Sequence, residues 1–406
     1  MSKPPADAPP LNPLAAPVLM AIVFLNMCGS GLVIPLLPFY AKVFQADAWQ
    51  VTMMFSGFAA GQFCGELLWG RLSDRIGRKA IIIGTLAACA ACHAVLAFAP
   101  SMAVAVAART IAGFFSGNTS TIQSYIIDAT PKDRVAARLG QVGSVFSTGF
   151  IIGPTLGGVL AHPGLGAAGF RPPLLVAAGL CVVAAIATLL VVREIPRQGA
   201  PGARPGPLAG LRNVATDPVL RQLICTTLLS FGGFSAMWST FGLWGAARFA
   251  WGPKEIGAAM ALIGVVSSLS QGLLAGWATR RLGESRTVIV ALLLAAAFMA
   301  IGAAGPPEWL AVPVVLLFVA SHTLAQPANL ALISRAASPG AQGGTLGANN
   351  ATSAAARVVG PLVAGFAFST AGASSPFALA ACALVPAALM AGRAAQALDR
   401  RAREAG

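Results

Sequence analysis

The chain has 406 residues, 56% of them hydrophobic and 10% charged, with a formal net charge of +14 and a mean hydropathy of +0.75. A soluble domain carries roughly a quarter charged residues, so this composition cannot cover a water-facing surface. The cations stand at the ends of apolar runs instead of on one face, which speaks against a nucleic-acid binder and for a membrane.

In chain order, Met1 to Asn12 is polar and rich in proline, without a secretory signal. Twelve apolar runs follow, each about long enough to cross a bilayer. The first six cover 16–37, 51–69, 80–98, 102–127, 139–160 and 173–192. The second six cover 219–244, 256–276, 288–305, 312–333, 344–368 and 376–395. Arg193 to Pro218, rich in Pro, Gly and Arg, reads as a flexible linker between two halves. The expected division is a tail over 1–15, a six-helix bundle over 16–192, a linker over 193–218, a second bundle over 219–395 and a tail over 396–406. With the N-terminus inside, 21 of the 27 cations fall in cytoplasmic segments. The outer loops hold only Lys42, Arg171, Arg248 and Lys254, while Arg109 and Arg357 fall within spans. Both termini are therefore expected in the cytoplasm. All seven cysteines lie in apolar runs, where they read as packing residues without a metal-binding spacing.

Gly70 to Lys79 reads G-R-L-S-D-R-I-G-R-K between the second and third runs. Five charges there form a tight turn that must lie in water. Gly276 to Ser285, after the eighth run, echoes it at Gly276, Arg281 and Gly283, with Arg280 where Asp74 stands in the first half. Gly153-Pro154 in the fifth run is likewise echoed by Gly360-Pro361 in the eleventh. Such echoes at half the chain length suggest two related bundles. In the fifth run, G-F-I-I-G-P-T-L-G-G from Gly149 to Gly158 places small residues four apart, which lets helices approach closely. Its proline bends the helix.

The Gly70–Lys79 string resembles the signature of the major facilitator superfamily, G-x-L-x-D-R-x-G-R-K between the second and third helices. The fifth run resembles the G-x-x-x-G-P-x-x-G-G of its proton-coupled drug exporters, matched here by Gly149, Gly153, Pro154, Gly157 and Gly158. The overall resemblance is greatest to the tetracycline/proton antiporters, including L-N-M-C-G-S-G-L-V-I-P-L-L-P from Leu25 to Pro38. The resemblance implies an all-α, twelve-helix integral membrane protein of two pseudo-symmetric bundles, working by alternating access. It implies proton-driven export of a small amphipathic compound, with no cofactor and no metal, and with protons, a small-molecule substrate and the bilayer as partners. A monomer in a bacterial inner membrane is expected, and no nucleic acid. It further implies a latch made of Gly70, Asp74, Arg75, Gly77, Arg78 and Asp128: Arg78 pairs with Asp128, and Asp74 reaches the eleventh helix, holding the outward-open state. The sequence departs from the antiporters at acids of the first, third and ninth helices. Asn26, Cys92 and an alanine-rich stretch stand there, which sets its substrate apart from tetracycline.

Three side chains are candidates for proton coupling. Arg109, in R-x-x-x-G with Gly113, either takes part in proton transfer, as the resemblance implies, or snorkels to the outer end. Glu66 is the acid clearly inside a run, four residues from its expected cytoplasmic end. His322 lies ten and eleven residues from the ends of the tenth run, where it either packs or titrates. A substrate cavity is expected to draw on Asn26, Asn118, Gln123, Phe234, Trp238, Gln326, Asn329 and Arg357. Asn349 and Asn350 add to these, and Phe231, Phe234, Trp238 and Phe241 share helical spacing. Arg357 reads as buried, paired with carbonyls or a neighbour, or else as an attractor of anions. The run of residues holds no nucleophile–base pair or phosphate loop, so an enzyme is not expected. An uptake symporter or facilitator for a small metabolite, or a membrane sensor, are the other readings. The Gly149–Gly158 string argues against uptake.

Overall fold

The computed structural model describes residues 15–128, 130, 134–194, 213–338 and 341–405. Most of the expected linker and the first fourteen residues lie outside them. Among the described residues the chain is all-helical, and each expected span falls on a helical column.

Span one runs Ala15–Val33, a tight turn Ile34–Leu36 at Pro35, and Leu37–Val43. Span two is Ala48–Ile76, span three Arg78–Ala97, span five Val135–Leu160 and span six Arg171–Val191. Span four is divided into Met102–Ser116 and Thr119–Asp128. Span seven is Pro218–Phe249, span ten Glu308–Ala336, span eleven Gln342–Ala371 and span twelve Ser375–Ala405. Span eight begins at Pro253–Leu269 and continues through a π-helical turn, Ser270–Leu274, into Ala275–Ala303. The single backbone break inside that last helix, Gly283 at φ 77°, separates span eight from span nine.

The charged string is not one tight turn. Helix continues through Arg71, Asp74 and Arg75 to Ile76, and the reversal takes one residue, Gly77, at φ 100°. A side chain at that φ is strained, and one added at Gly77 would also meet the Glu194 carboxylate 2.9 Å away. Glu66 therefore sits ten residues from the end of its helix, about 15 Å along the axis. Gly283 makes the corresponding reversal in the second half, so the sequence echo is also an echo of backbone.

Within the first half, span one packs on five and six, two on four, and three on four and six. In the second half, seven packs on eleven and twelve, and the helix Ala275–Ala303 on ten and twelve. Between halves the principal contacts are span two with eleven and span five with eight. Exchanging the halves turns one of these contacts into the other, which is the pseudo-two-fold relation that the echoes suggest.

Lipid gives helices no hydrophobic reason to associate, so close backbone contact through small residues must do so. A Cβ at Gly61 would lie 2.1 Å from Thr110 O, and one at Gly157 2.1 Å from Leu32 O. The halves meet in the same way at the end opposite Gly77. There Gly158 faces Pro253 O at 2.4 Å, Gly257 faces Pro154 O at 2.5 Å, and Gly365 abuts Thr52. Toward the basic end that carries Gly77 and Gly283, Gly140, Gly143 and Gly272 have nothing within 4 Å. Spans five and eight therefore diverge toward that end. Of the cysteines, Cys28, Cys89 and Cys181 are buried as expected, but Cys64 and Cys382 are exposed on outward helix faces.

Two outcomes follow from these contacts. Gly158→Leu should wedge spans five and eight apart at the sealed end. The expected result is an increase of about tenfold in labelling of a Ser30→Cys thiol by an impermeant maleimide applied from that side; unchanged labelling would mean the glycine contact is not the seal. Asp217 caps span seven, accepting from Val219 N at 2.8 Å, and its two oxygens receive Arg401 at 3.0 and 3.1 Å. Partial burial raises its carboxyl, but the Arg401 hydrogen bonds and the Val219 amide outweigh that and hold it below its usual value. Its stabilising effect is then full above the ordinary carboxylate range and lost as pH falls through the lowered value. Asp217→Ala should cost about 1 kcal/mol at neutral pH, read by thermal unfolding in detergent, and the deficit should shrink below about pH 4.

Candidate functional site

Where the bundles diverge they enclose a cavity of about 460 Å³ between spans two, five, seven, eight and eleven, with contributions from one, four and ten. That is the size of a pocket for a drug-sized molecule. One wall is a row of aromatic rings crossing from one half to the other. Phe150 of span five stacks on Trp238 of span seven at 5.4 Å, Trp238 on Phe234 at 6.1 Å, and Phe234 on His322 at 4.6 Å. Phe55 and Phe58 of span two and Phe146 of span five face it, interspersed with Ser30, Ser147, Ser235, Ser267 and Gln62. The wall contains two charged residues, Arg109 from span four and Arg357 from span eleven, and no acid.

Arg109 is buried and does not snorkel outward. Its guanidinium carbon sits 4.4 Å from the centre of the Phe58 ring, and its Nε and Nη1 have no hydrogen-bond partner. The fully buried His93 lies behind it on span three, within reach of its charge. Arg357 is exposed on the cavity wall and is not buried and paired as expected. Its carbonyl, not its side chain, is engaged, receiving Ser235 Oγ at 3.4 Å. Glu66 is half-buried on span two, and the Arg357 charge reaches it. The break in span four explains the setting of Glu66: Gly117 lies against it so closely that a Cβ there would be 2.5 Å from Glu66 N.

His322 is near mid-span but one ring behind the wall. It is buried under Phe234, receives a hydrogen bond from Gln326 Nε2 at 3.2 Å, and leaves Nδ1 unpartnered. Of the expected cavity residues, Phe234, Trp238 and Arg357 line the wall, as does Phe231. The amides do not. Asn329 donates to Thr227 Oγ1 at 2.9 Å, and Thr227 donates to Asn349 at 2.7 Å, tying spans seven, ten and eleven together. Gln326 donates to Ser230 at 3.4 Å beside them. Asn118 is buried at the break in span four, donating to Thr85 Oγ1 at 2.6 Å. Asn26 is buried in span one, Gln123 is exposed beyond the break, and Phe241 is buried against Trp244 and Trp251. Asn118, Gln326, Asn329 and Asn349 thus bond to neighbouring helices instead of facing the cavity, because an unmade hydrogen bond is expensive inside a bundle.

At the basic end, Arg78 forms an ion pair with Asp128 at 2.5 Å, as the signature implied. Glu194, which sequence reasoning missed, accepts from Arg78 N at 2.8 Å and Lys79 N at 3.0 Å, capping span three from the end of span six. Lys79 Nζ donates to Leu189 O at 2.7 Å. The second half repeats the pair with signs exchanged. Glu284, directly after Gly283, meets Arg335 at the end of span ten at 3.0 Å. Asp74 and Arg75 are exposed on the last turns of span two, with Gly70 half-buried above them. Gly149, Gly153, Pro154 and Gly157 lie against span one, and Gly158 against span eight.

A family model for the Major Facilitator Superfamily matches residues 19–361 and 223–404. The chain is 28% identical over 358 residues to the class C tetracycline resistance protein of Escherichia coli, covering 85% of this chain and 87% of that protein. It is 26% identical over 360 residues to multidrug resistance protein 2 of Bacillus subtilis strain 168, covering 86% and 88%. Its fold is similar to that of a bacterial homolog of the human lysosomal transporter Spinster, in an inward-facing and occupied conformation, with a TM-score of 0.77, 16% identity and 98% of each chain covered. With a two-bundle fold, a cavity between the halves and a family match spanning both, the chain belongs to the major facilitator superfamily, a non-enzymatic, multi-pass membrane transporter.

Proposed function

We propose that this chain exports a small amphipathic compound from a bacterial cytoplasm, drawing on the proton gradient and alternating between inward- and outward-open forms. The observation that carries this reading is the cavity itself: aromatic, sparsely polar, sealed at one end and divergent at the other. The cation tally supports a cytoplasmic side for the divergent, basic end and both termini, and on that orientation the cavity takes its cargo from inside. The relatives named for resistance to tetracycline and to multiple drugs support efflux over uptake. The charged end of span two then acts as the latch. Asp74 and Arg75 stand on the rim that must close when the halves rock outward, with the Arg78–Asp128 pair and Glu194 bracing the turn behind them. The cargo differs from tetracycline in needing no acid on the cavity wall. The transporter works as a monomer, because the cavity is complete within one chain, and it needs neither a cofactor nor a metal.

Everted membrane vesicles test this. With the pump-generated gradient in place, a panel of aromatic amphipaths should contain compounds that accumulate inside and disturb the pH gradient on addition, and an uncoupler should prevent both. Asp74→Asn should lower the initial rate by about tenfold or more, a loss of about 1.4 kcal/mol of transition-state stabilisation, while insertion and folding persist. No accumulation of any compound by folded, inserted protein would refute export and favour uptake or sensing.

A further inference from the structure

We infer that the cavity selects amphipathic compounds bearing a negative charge, such as aromatic carboxylates or sulfonates, bound against the aromatic wall within reach of Arg109 and Arg357. The direction of transport rests on the efflux reading above, but the site does not.

An arginine inside a membrane span is costly and needs a partner, a water-filled space or both. Arg109 has only the face of Phe58 on one side, and two of its guanidinium nitrogens are buried without an acceptor. It borders the cavity, so a ligand in the cavity can supply that acceptor. Arg357 is exposed to the same space, and its side chain makes no hydrogen bond or ion pair among the described residues. The wall offers no carboxylate to balance them. Glu66, whose charge Arg357 reaches, lies outside the wall residues, and counting it as ionised still leaves the cavity positive. A cation would enter against two like charges in a space of lowered dielectric, where such repulsion is strong. An anion would gain two partners.

The two arginines also come from different halves, Arg109 from span four and Arg357 from span eleven. A ligand in the cavity that meets both therefore touches both moving bodies. The stacked rings Phe150, Trp238 and Phe234 provide a flat apolar face next to it. A molecule with a planar ring and one acidic group satisfies both features, and guanidinium suits a planar carboxylate through paired hydrogen bonds.

The test uses two probes with one ring system and opposite charges, 2-naphthoate and 2-naphthylmethylammonium, titrated calorimetrically into the full chain in lipid nanodiscs. Naphthoate should bind about tenfold or more tightly than the ammonium. Arg357→Gln, on the cavity surface, should weaken naphthoate by about tenfold and leave the ammonium no weaker than before, since one like charge is gone. Glu66→Gln should tighten naphthoate by freeing Arg357. Arg109→Lys, which keeps the charge, should retain anion preference even if Arg109→Gln fails to fold. Equal binding of the two probes, tighter binding of the ammonium, binding of neither by folded protein, or indifference of naphthoate to Arg357→Gln would each overturn the inference. Everted vesicles separate it from the efflux reading. Naphthoate that binds while neither it nor any other compound of the panel accumulates leaves the anion site standing and refutes export. Accumulation of ammonium and naphthoate alike leaves export standing and refutes the anion site.

Discussion

Backbone touching backbone at glycine is the contact on which the rest of this molecule depends. In lipid, apolar side chains gain nothing by facing a helix in place of a hydrocarbon tail, so association relies on close packing. Gly57, Gly61 and Gly65 bring span two onto span four, and Gly149, Gly153 and Gly157 bring span five onto span one. These contacts make the first half a stiff body. Gly158, Gly257 and Gly365 make the same kind of contact between halves, but only at one end. A seal of this kind is released by tilting one body on the other and breaks no contact within either, which is the mechanical requirement of alternating access.

Charge acts at the other end. The reversal at Gly77 is held from two spans at once: Asp128 of span four on the Arg78 side chain, and, from span six and its end, Glu194 on two backbone amides and the Leu189 carbonyl on Lys79. The reversal at Gly283 is held by Arg335 on Glu284. Pairs this exposed contribute little stability singly. Their consistent placement on spans four and ten, in equivalent positions and with opposite sign, points to positioning instead. Each ties the start of the helix that follows its reversal to the end of span four or span ten.

Hydropathy made most of the spans legible, because a bilayer imposes length and water imposes the charged ends; Ala48–Ile76 and the divided span four fall outside the nine helices that are long and apolar enough to cross a membrane among the described residues. The Arg78–Asp128 pair was legible from the signature string, while the single-residue reversal at Gly77 was not, because the whole string reads as one tight turn. The extent of helix around that string was not: polar residues such as Arg71 and Asp74 continue a helix into water without any break in backbone hydrogen bonding. The cavity wall was legible only in part. Facing lipid and facing a neighbouring helix call for the same apolar residues, so periodicity does not separate Phe146 and Phe150 from lipid-exposed neighbours such as Ile152. The amides misled for a related reason. Asn118, Asn329 and Gln326 are polar and deep in their spans, but depth calls for satisfaction inside a bundle before exposure to a cavity. Glu194 was hidden by distance, more than a hundred residues from the amides it caps.

The acids missing from this chain and the arginines present in it are two sides of one electrostatic arrangement. Where tetracycline/proton antiporters carry intramembrane acids, this chain has Asn26, Cys92 and an alanine-rich ninth span. A carboxylate on the cavity wall would pair with Arg109 or Arg357 and cancel the field that an anionic cargo would use. Under the proposed anionic cargo, its loss goes together with the change in cargo charge, and the energetics of the proposed export change as well. A cation leaving a cell with a negative interior must be driven against the membrane potential, whereas an anion is expelled by it, gaining about 2.3 kcal/mol per charge for each 100 mV. A carrier for anions can therefore dispense with a proton-binding acid on the cavity wall and still draw on the proton gradient through its electrical component. Under the proposed export of an anion, the positive cavity would be what couples the fold's rocking motion to the membrane's energy.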